Sequence, residues 1–243
     1  MIKKPIFCYT GSKWLMKEDI ISYFPPHLIY VEPFFGGGSV YWYKEPSYVE
    51  VINDLDKQLI DEYKMIQKAP LTGYIKDLNT VSKIKTFYSK TPKTLQDKIT
   101  KSIISRCNGF SGIYVKNNRI YRKANPYSKL KNIEDYKSRL SNTIILNKSY
   151  EKVIREYDTN KTLFYLDPPY EDSKGLYDNY TMDYDKMSSI LKKIKGKFIL
   201  SINGSPSINK VFKDFKIIEI DKKSYASQNV GMKPRIELLI MNF

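Results

Sequence analysis

One histidine and two cysteines in 243 residues remove several chemistries at once. The histidine, His27, follows Pro25-Pro26 in a turn-like stretch, so an imidazole general base is not expected. Cys8 and Cys107 cannot form a disulfide framework, and no CxxC or Cys/His cluster offers the ligand spacing of a zinc site. Long apolar runs are missing too. Phe198-Ile199-Leu200 and Leu238-Leu239-Ile240-Met241 fall far short of a bilayer span, and Met1-Ile2-Lys3-Lys4-Pro5 lacks the apolar core of a signal peptide. The expectation is a soluble, reduced, cytoplasmic chain with neither metal nor membrane as a partner. Acid is scarce beside base: 26 Asp and Glu against 41 Lys and Arg give a net charge of +15. A solvated surface rarely needs that imbalance, and a nucleic acid is the simplest polyanion to match it.

What is present argues for a folded protein. At 42% apolar and 14% aromatic, the chain can bury one large α/β core with an inserted subdomain. Leu28 to Glu32 reads as a buried strand ended by Pro33, and Tyr48 to Ile52 as a second ended by Asn53-Asp54. Asp56 to Gln67 reads as a helix with Leu59, Ile60, Tyr63 and Ile66 on one face. From about Pro70 to Leu140 the pattern holds helices and a basic hairpin candidate, Ile113-Tyr114-Val115 and Ile120-Tyr121-Arg122 around Lys116-Asn117-Asn118-Arg119, but no buried strand. Strands return at Thr143 to Leu146, Thr162 to Asp167 and Lys197 to Ile202, with helices near Glu151 and over Asp183 to Ile194. Phe215 to Ile220 and Arg235 to Asn242 read as two closing strands joined by a basic loop. The organisation expected is a catalytic domain of residues 1–69 and 141–243 interrupted by an insert of residues 70–140.

Three motifs stand at strand ends. Asp167-Pro168-Pro169-Tyr170 closes the apolar run Thr162 to Leu166, and two prolines can neither extend a sheet ladder nor enter a helix interior. A carboxylate, stiff carbonyls and an aromatic ring are thereby left at a strand's carboxyl end, where open α/β sheets bind ligands. Glu32-Pro33-Phe34-Phe35-Gly36-Gly37-Gly38 follows the first strand, and glycines there let backbone approach a ligand. The run lacks the GxxxxGK[ST] spacing of a triphosphate cradle and departs from GxGxxG. Asp54 lies 18 residues after Gly36, placed either to accept from ribose hydroxyls or to cap the following helix.

Together these segments resemble the Dam-like (D12-class) adenine-N6 DNA methyltransferases, in family order and over almost the whole chain. Tyr9-Thr10-Gly11-Ser12-Lys13 resembles the family's Trp-Ala-Gly-Gly-Lys segment, Val31 to Val40 its glycine loop, and Asn53-Asp54 its acidic strand end. Arg106 to Ile113 is similar to its recognition segment, and Asp167-Pro168-Pro169-Tyr170 to its catalytic tetrapeptide. Phe198 to Asn203, Ser224 to Gly231 and Glu237 to Ile240 resemble the closing strand, basic loop and last strand. Tyr9, Ser12 and Ser111 depart from the family's Trp, Gly and Asn.

The resemblance implies a Rossmann-like sheet with an antiparallel last strand and a mostly helical inserted recognition subdomain. It implies S-adenosylmethionine as cofactor, held by Tyr9, Lys13, Glu32, Phe34, Phe35, Gly36, Gly38, Asp54 and Asp167, with Asp167, Pro168, Pro169 and Tyr170 catalytic. Double-stranded DNA is the implied partner, bound by Arg106, Asn108, Ser111, Lys116, Asn118, Arg119, Arg122, Lys123, Lys222 and Lys233. Arg and Asn suit base edges and Lys suits phosphates, while Tyr170 would stack on a flipped base. GATC is the target the resemblance suggests. It leaves open a solitary enzyme and the protective half of a restriction system, with a cognate endonuclease as partner in the second case. Two other readings stay open: a methyltransferase acting on RNA or a protein amide, and an inactive nucleic-acid-binding module. Relatives of the former more often carry Asn in place of Asp167 and lack the basic insert; the latter would be expected to have damaged motifs, and these are intact.

Overall fold

The computed structural model describes residues 4–9, 11–70, 78, 80–108, 127–170, 182–220 and 236–243. Within them the chain forms two compact units, residues 1–17, 36–46 and 56–145 in the first and residues 18–35, 47–55 and 146–243 in the second. Its strands are β1 (Ile29–Glu32), β2 (Val49–Asn53), β3 (Ile144–Leu146), β4 (Thr162–Leu166), β5 (Lys197–Asn203), β6 (Lys216–Ile220) and β7 (Glu237–Met241), in the sheet order β3-β2-β1-β4-β5-β7-β6. β1 runs parallel to β2 and to β4, and β4 parallel to β5. β7 is antiparallel to both β5 and β6. The expected mixed sheet with an antiparallel last strand is thus what the chain builds.

Burial explains the strand composition. All five residues of β4 are buried, as are all five of β7, and each is a near-continuous apolar run of the kind a strand covered on both faces requires. Val31, Val51, Phe164, Leu166, Phe198, Leu200, Leu238 and Ile240 share one core cluster with Val153 and Ile154 of α8 (Tyr150–Tyr157) and Met187 and Leu191 of α9 (Tyr184–Leu191). Asp183 caps α9, its carboxylate accepting from the Lys186 amide at 2.9 Å.

In the first unit, α3 spans Lys57–Gln67 and buries Leu59, Ile60, Tyr63 and Ile66, the face expected from spacing, together with Glu62. Its cap is Asp56, whose Oδ1 accepts from the Leu59 amide at 3.0 Å. Among the described residues of 70–140, every element is helical: α4 (Val81–Ser89), α5 (Leu95–Asn108), α6 (Tyr127–Leu130) and α7 (Ile133–Leu140). The insert expected at residues 70–140 falls wholly inside this unit. The hairpin candidate at 113–122 and the basic loop before β7 lie outside the described residues. No helix among the described residues is long and apolar enough to cross a membrane.

Candidate active site

Parallel pairing sends the carboxyl ends of β1, β2, β4 and β5 to one edge of the sheet. β1 and β4 are neighbours there, with β2 flanking one and β5 the other. That reversal of strand order is a topological switch point, where the loops leaving two adjacent strands diverge and open a crevice. Glu32 ends β1 at this edge, and Asp167 follows β4 directly. β7 runs the opposite way, so its first residue, Glu237, lies opposite Asn203 at the end of β5 and reaches the same edge.

Asp167 is partly exposed, whereas Pro168 behind it is buried. The carboxylate is held on one oxygen: the Ser201 hydroxyl of β5 lies 3.3 Å from Asp167 Oδ1 and 2.9 Å from the Tyr165 hydroxyl. Tyr165 and Ser201 are both interior, at 1% and 0% exposure, so this is a polar chain sealed under the sheet edge. Burial, then the negative charge of Asp167, raises the Tyr165 phenol well above its ordinary value and keeps it protonated. Tyr170 is half-buried and donates to Glu237 Oε1 at 2.9 Å. The Tyr184 hydroxyl, at the start of α9, donates to the Pro169 carbonyl and so holds the Pro168-Pro169 segment from α9. Asp167 and Tyr170 are therefore anchored separately, from β5 and β7.

Glu32 is 2% exposed and accepts from the Tyr30 hydroxyl at 2.8 Å. Burial first, and then Glu32, raises the Tyr30 phenol well above its usual range. Phe34 packs its ring on Tyr150, centroids 5.2 Å apart, and the Phe35 amide donates to the Asn53 carbonyl at 2.8 Å. Asn53 is nearly inaccessible, at 1%. Its amide donates to the carbonyls of Pro33 and Lys148, both at 2.9 Å, while its oxygen accepts from the Lys148 amide at 2.8 Å. It ties the exits of β1, β2 and β3 together. Asp54 is partly exposed beside it, and its carbonyl accepts from the Asn147 side chain at 2.7 Å. Of the two roles open to Asp54 on sequence, the helix cap belongs to Asp56 instead.

The first unit holds the glycine loop by other means. Gly36 and Gly38 adopt φ of +46° and +67°, backbone that a side chain disfavours. A Cβ at Gly36 or Gly37 would come within 2.9 Å of the Tyr9 side chain, so the loop is packed on Tyr9. The Tyr63 hydroxyl donates to the Gly36 carbonyl at 2.9 Å and the Trp42 indole to the Gly37 carbonyl at 3.0 Å. Lys13 is 4% exposed, its ammonium 3.3 Å from the Gly11 carbonyl.

Arg106, expected at DNA, is 4% exposed inside the first unit, with Nε donating to Glu62 at 2.9 Å and Nη2 to Asp56 at 3.2 Å. Burial alone would weaken the cation, but Glu62 and Asp56 outweigh it and hold the guanidinium above its ordinary pKa. The signal was present in the spacing. Ile99, Ile103 and Arg106 fall at i, i+4 and i+7 of α5, on one helical face, and both isoleucines are fully buried. Asn108 ends α5, its side chain outside the described residues; Ser111, Lys116, Asn118, Arg119, Arg122, Lys123, Lys222 and Lys233 lie outside them entirely. Sequence reasoning assigned no site role to Ser201, Tyr184 or Glu237, and only their distant partners give them one. Among the described residues, no group of three His, Cys, Asp or Glu side chains could hold a metal ion.

Residues 9–225 match the model of the family described as D12 class N6 adenine-specific DNA methyltransferase. The chain is 25% identical over 236 residues to the Type II methyltransferase M.CviBI of Paramecium bursaria Chlorella virus, covering 90% of each protein. It is 25% identical to the Type II methyltransferase M1.LlaDCHI of Lactococcus lactis subsp. cremoris, covering 99% of this chain and 95% of that one. It is also 25% identical to the Type II methyltransferase M.MjaIII of Methanocaldococcus jannaschii, covering 99% of both.

Proposed function

We propose, for a chain that belongs to the D12 class N6 adenine-specific DNA methyltransferase family, that it methylates a flipped-out adenine of double-stranded DNA using S-adenosylmethionine. The observation that carries this reading is the separate anchoring of Asp167 by Ser201 and of Tyr170 by Glu237 at the β1/β4 switch point. An exocyclic adenine amine is a poor nucleophile because its lone pair is delocalised into the ring. Two acceptors remedy that. The Asp167 carboxylate and the Pro168 carbonyl take its N–H groups and turn the lone pair out of conjugation, which is catalysis by positioning. The carboxylate also favours the positive charge that develops on nitrogen. No imidazole is needed, in keeping with a chain whose one histidine, His27, is bonded to Pro25 and Ser47.

The donor set of the sheet unit suits the cofactor. Glu32 and Asp54 are acceptors at the ends of β1 and β2, placed for hydroxyl and ammonium groups, and Phe34 offers an aromatic face. Bound there, S-adenosylmethionine would supply a methyl group already activated on a sulfonium. Tyr9, Lys13, Gly36 and Gly38 are proposed for the same ligand on the resemblance alone, as are Lys116, Arg119, Arg122 and the other basic residues for DNA. Asp at position 167 and a net charge of +15 favour DNA over RNA or amide acceptors.

A base inside a duplex cannot reach the methyl donor, so extrusion is part of the proposal. Once the target sequence is mapped, a duplex carrying 2-aminopurine at the target adenine tests it. Fluorescence is expected to rise severalfold on binding, since unstacking relieves quenching. Binding with unchanged fluorescence, in both the wild-type protein and a Tyr170→Ala variant unable to quench the base by stacking, would contradict extrusion.

A further inference from the structure

Glu237 is fully buried, opens β7, and accepts from the Tyr170 hydroxyl at 2.9 Å. Burying a carboxylate is expensive unless donors are brought to it, and a strand position alone would be served more cheaply by an apolar residue. The antiparallel course of β7 is what delivers it: the register sets Glu237 opposite Asn203, at the edge where β4 gives way to the Pro-Pro turn. The tyrosine hydroxyl likewise has no part in stacking, which uses only the faces of the ring. Its use is as an anchor. A hydrogen bond at the para oxygen fixes the direction of the ring's long axis, and because a phenolic O–H prefers to lie in the plane of its ring, the position of the acceptor also sets that plane; with a carboxylate as acceptor the bond is charge-assisted and stronger than one between neutral groups.

We propose that Glu237 is a positioning residue for methyl transfer: its carboxylate fixes the plane of the Tyr170 ring so that one face is preorganised for the extruded adenine. This rests on the stacking role proposed above for Tyr170. The bond persists across the working pH range, because burial and then the charges of Asp167 and Glu237 push the phenol far above its ordinary pKa. With the ring held, the base enters a prepared slot; with the ring loose, the amine is presented to Asp167 in a spread of orientations.

A double-mutant cycle on the full chain tests the inference, with kcat and KM measured on unmethylated genomic DNA. Tyr170→Phe keeps the aromatic face and removes the anchor, and its kcat is expected to fall about 10- to 100-fold from misplacement alone, with KM for DNA changed by less than about threefold. Glu237→Gln is expected to lower kcat in the same way by a smaller factor. In the Tyr170→Phe background the same substitution should cost less than about twofold more, because the two residues act as one unit. Multiplying losses in the double variant would overturn the inference. Should Glu237→Gln fail to fold, Tyr170→Phe decides alone, and unchanged kcat overturns it. Tyr170→Ala separates this inference from the reading beneath it. Turnover retained by Tyr170→Ala would sink stacking and the brace together, whereas loss of turnover in Tyr170→Ala with multiplying effects in the cycle would sink only the brace.

Discussion

Asp167→Ala is expected to lower the rate of methyl transfer by about 10²- to 10³-fold or more, the scale for removing one preorganised polar group from a reacting centre. DNA affinity should be nearly unchanged. The side chain is partly exposed and stands beyond the last residue of β4, so its loss opens no cavity in the core. What it removes is the acceptor that Ser201 holds by Oδ1. An interaction that matters only when the amine attacks should reduce kcat and kcat/KM together and leave KM in place. Steady-state kinetics with labelled cofactor and genomic DNA read this directly. Turnover within a few-fold of wild type would remove Asp167 from the reaction.

Arg106→Ala is expected to destabilise the protein by about 3–5 kcal/mol, the cost of stranding a buried charge. Glu62 would remain beneath α5, its side chain 3% exposed, without the guanidinium that faces it. Asp56 would lose the same partner while still capping α3. For a chain of this size that free energy corresponds to a fall in Tm of roughly 6–20 °C. Calorimetry of Arg106→Ala, Glu62→Leu and the double variant checks it, since the double should cost much less than the sum of the singles. If Arg106→Ala melts with the wild type and loses DNA affinity instead, the residue reads DNA and the buried pair is incidental.

Three strands were legible because each ends in a chemical stop. Pro33, Asn53-Asp54 and Pro168-Pro169 mark the exits of β1, β2 and β4 to within a residue, and α3 announced its buried face through the spacing of Leu59, Ile60, Tyr63 and Ile66. Such signals are local. The parts that escaped are set by partners remote in sequence. Ser201 meets Asp167 across 34 positions and Glu237 meets Tyr170 across 67, and no periodicity in either segment encodes the pairing. The cap of α3 went to Asp56 and not Asp54 because the helix starts at Lys57, two residues beyond the start that a cap at Asp54 would require. The burial of Arg106 escaped for a different reason: an arginine in a basic chain reads as a surface charge until the isoleucines sharing its helical face are counted.

Transfer of labelled methyl from S-adenosylmethionine to unmethylated genomic DNA, with the nucleosides then separated, tests the central claim most directly. The expected result is label in N6-methyladenine alone, abolished in Asp167→Ala. Label confined to RNA or protein, or in another base, or none at all from a folded protein that binds the cofactor, would contradict it.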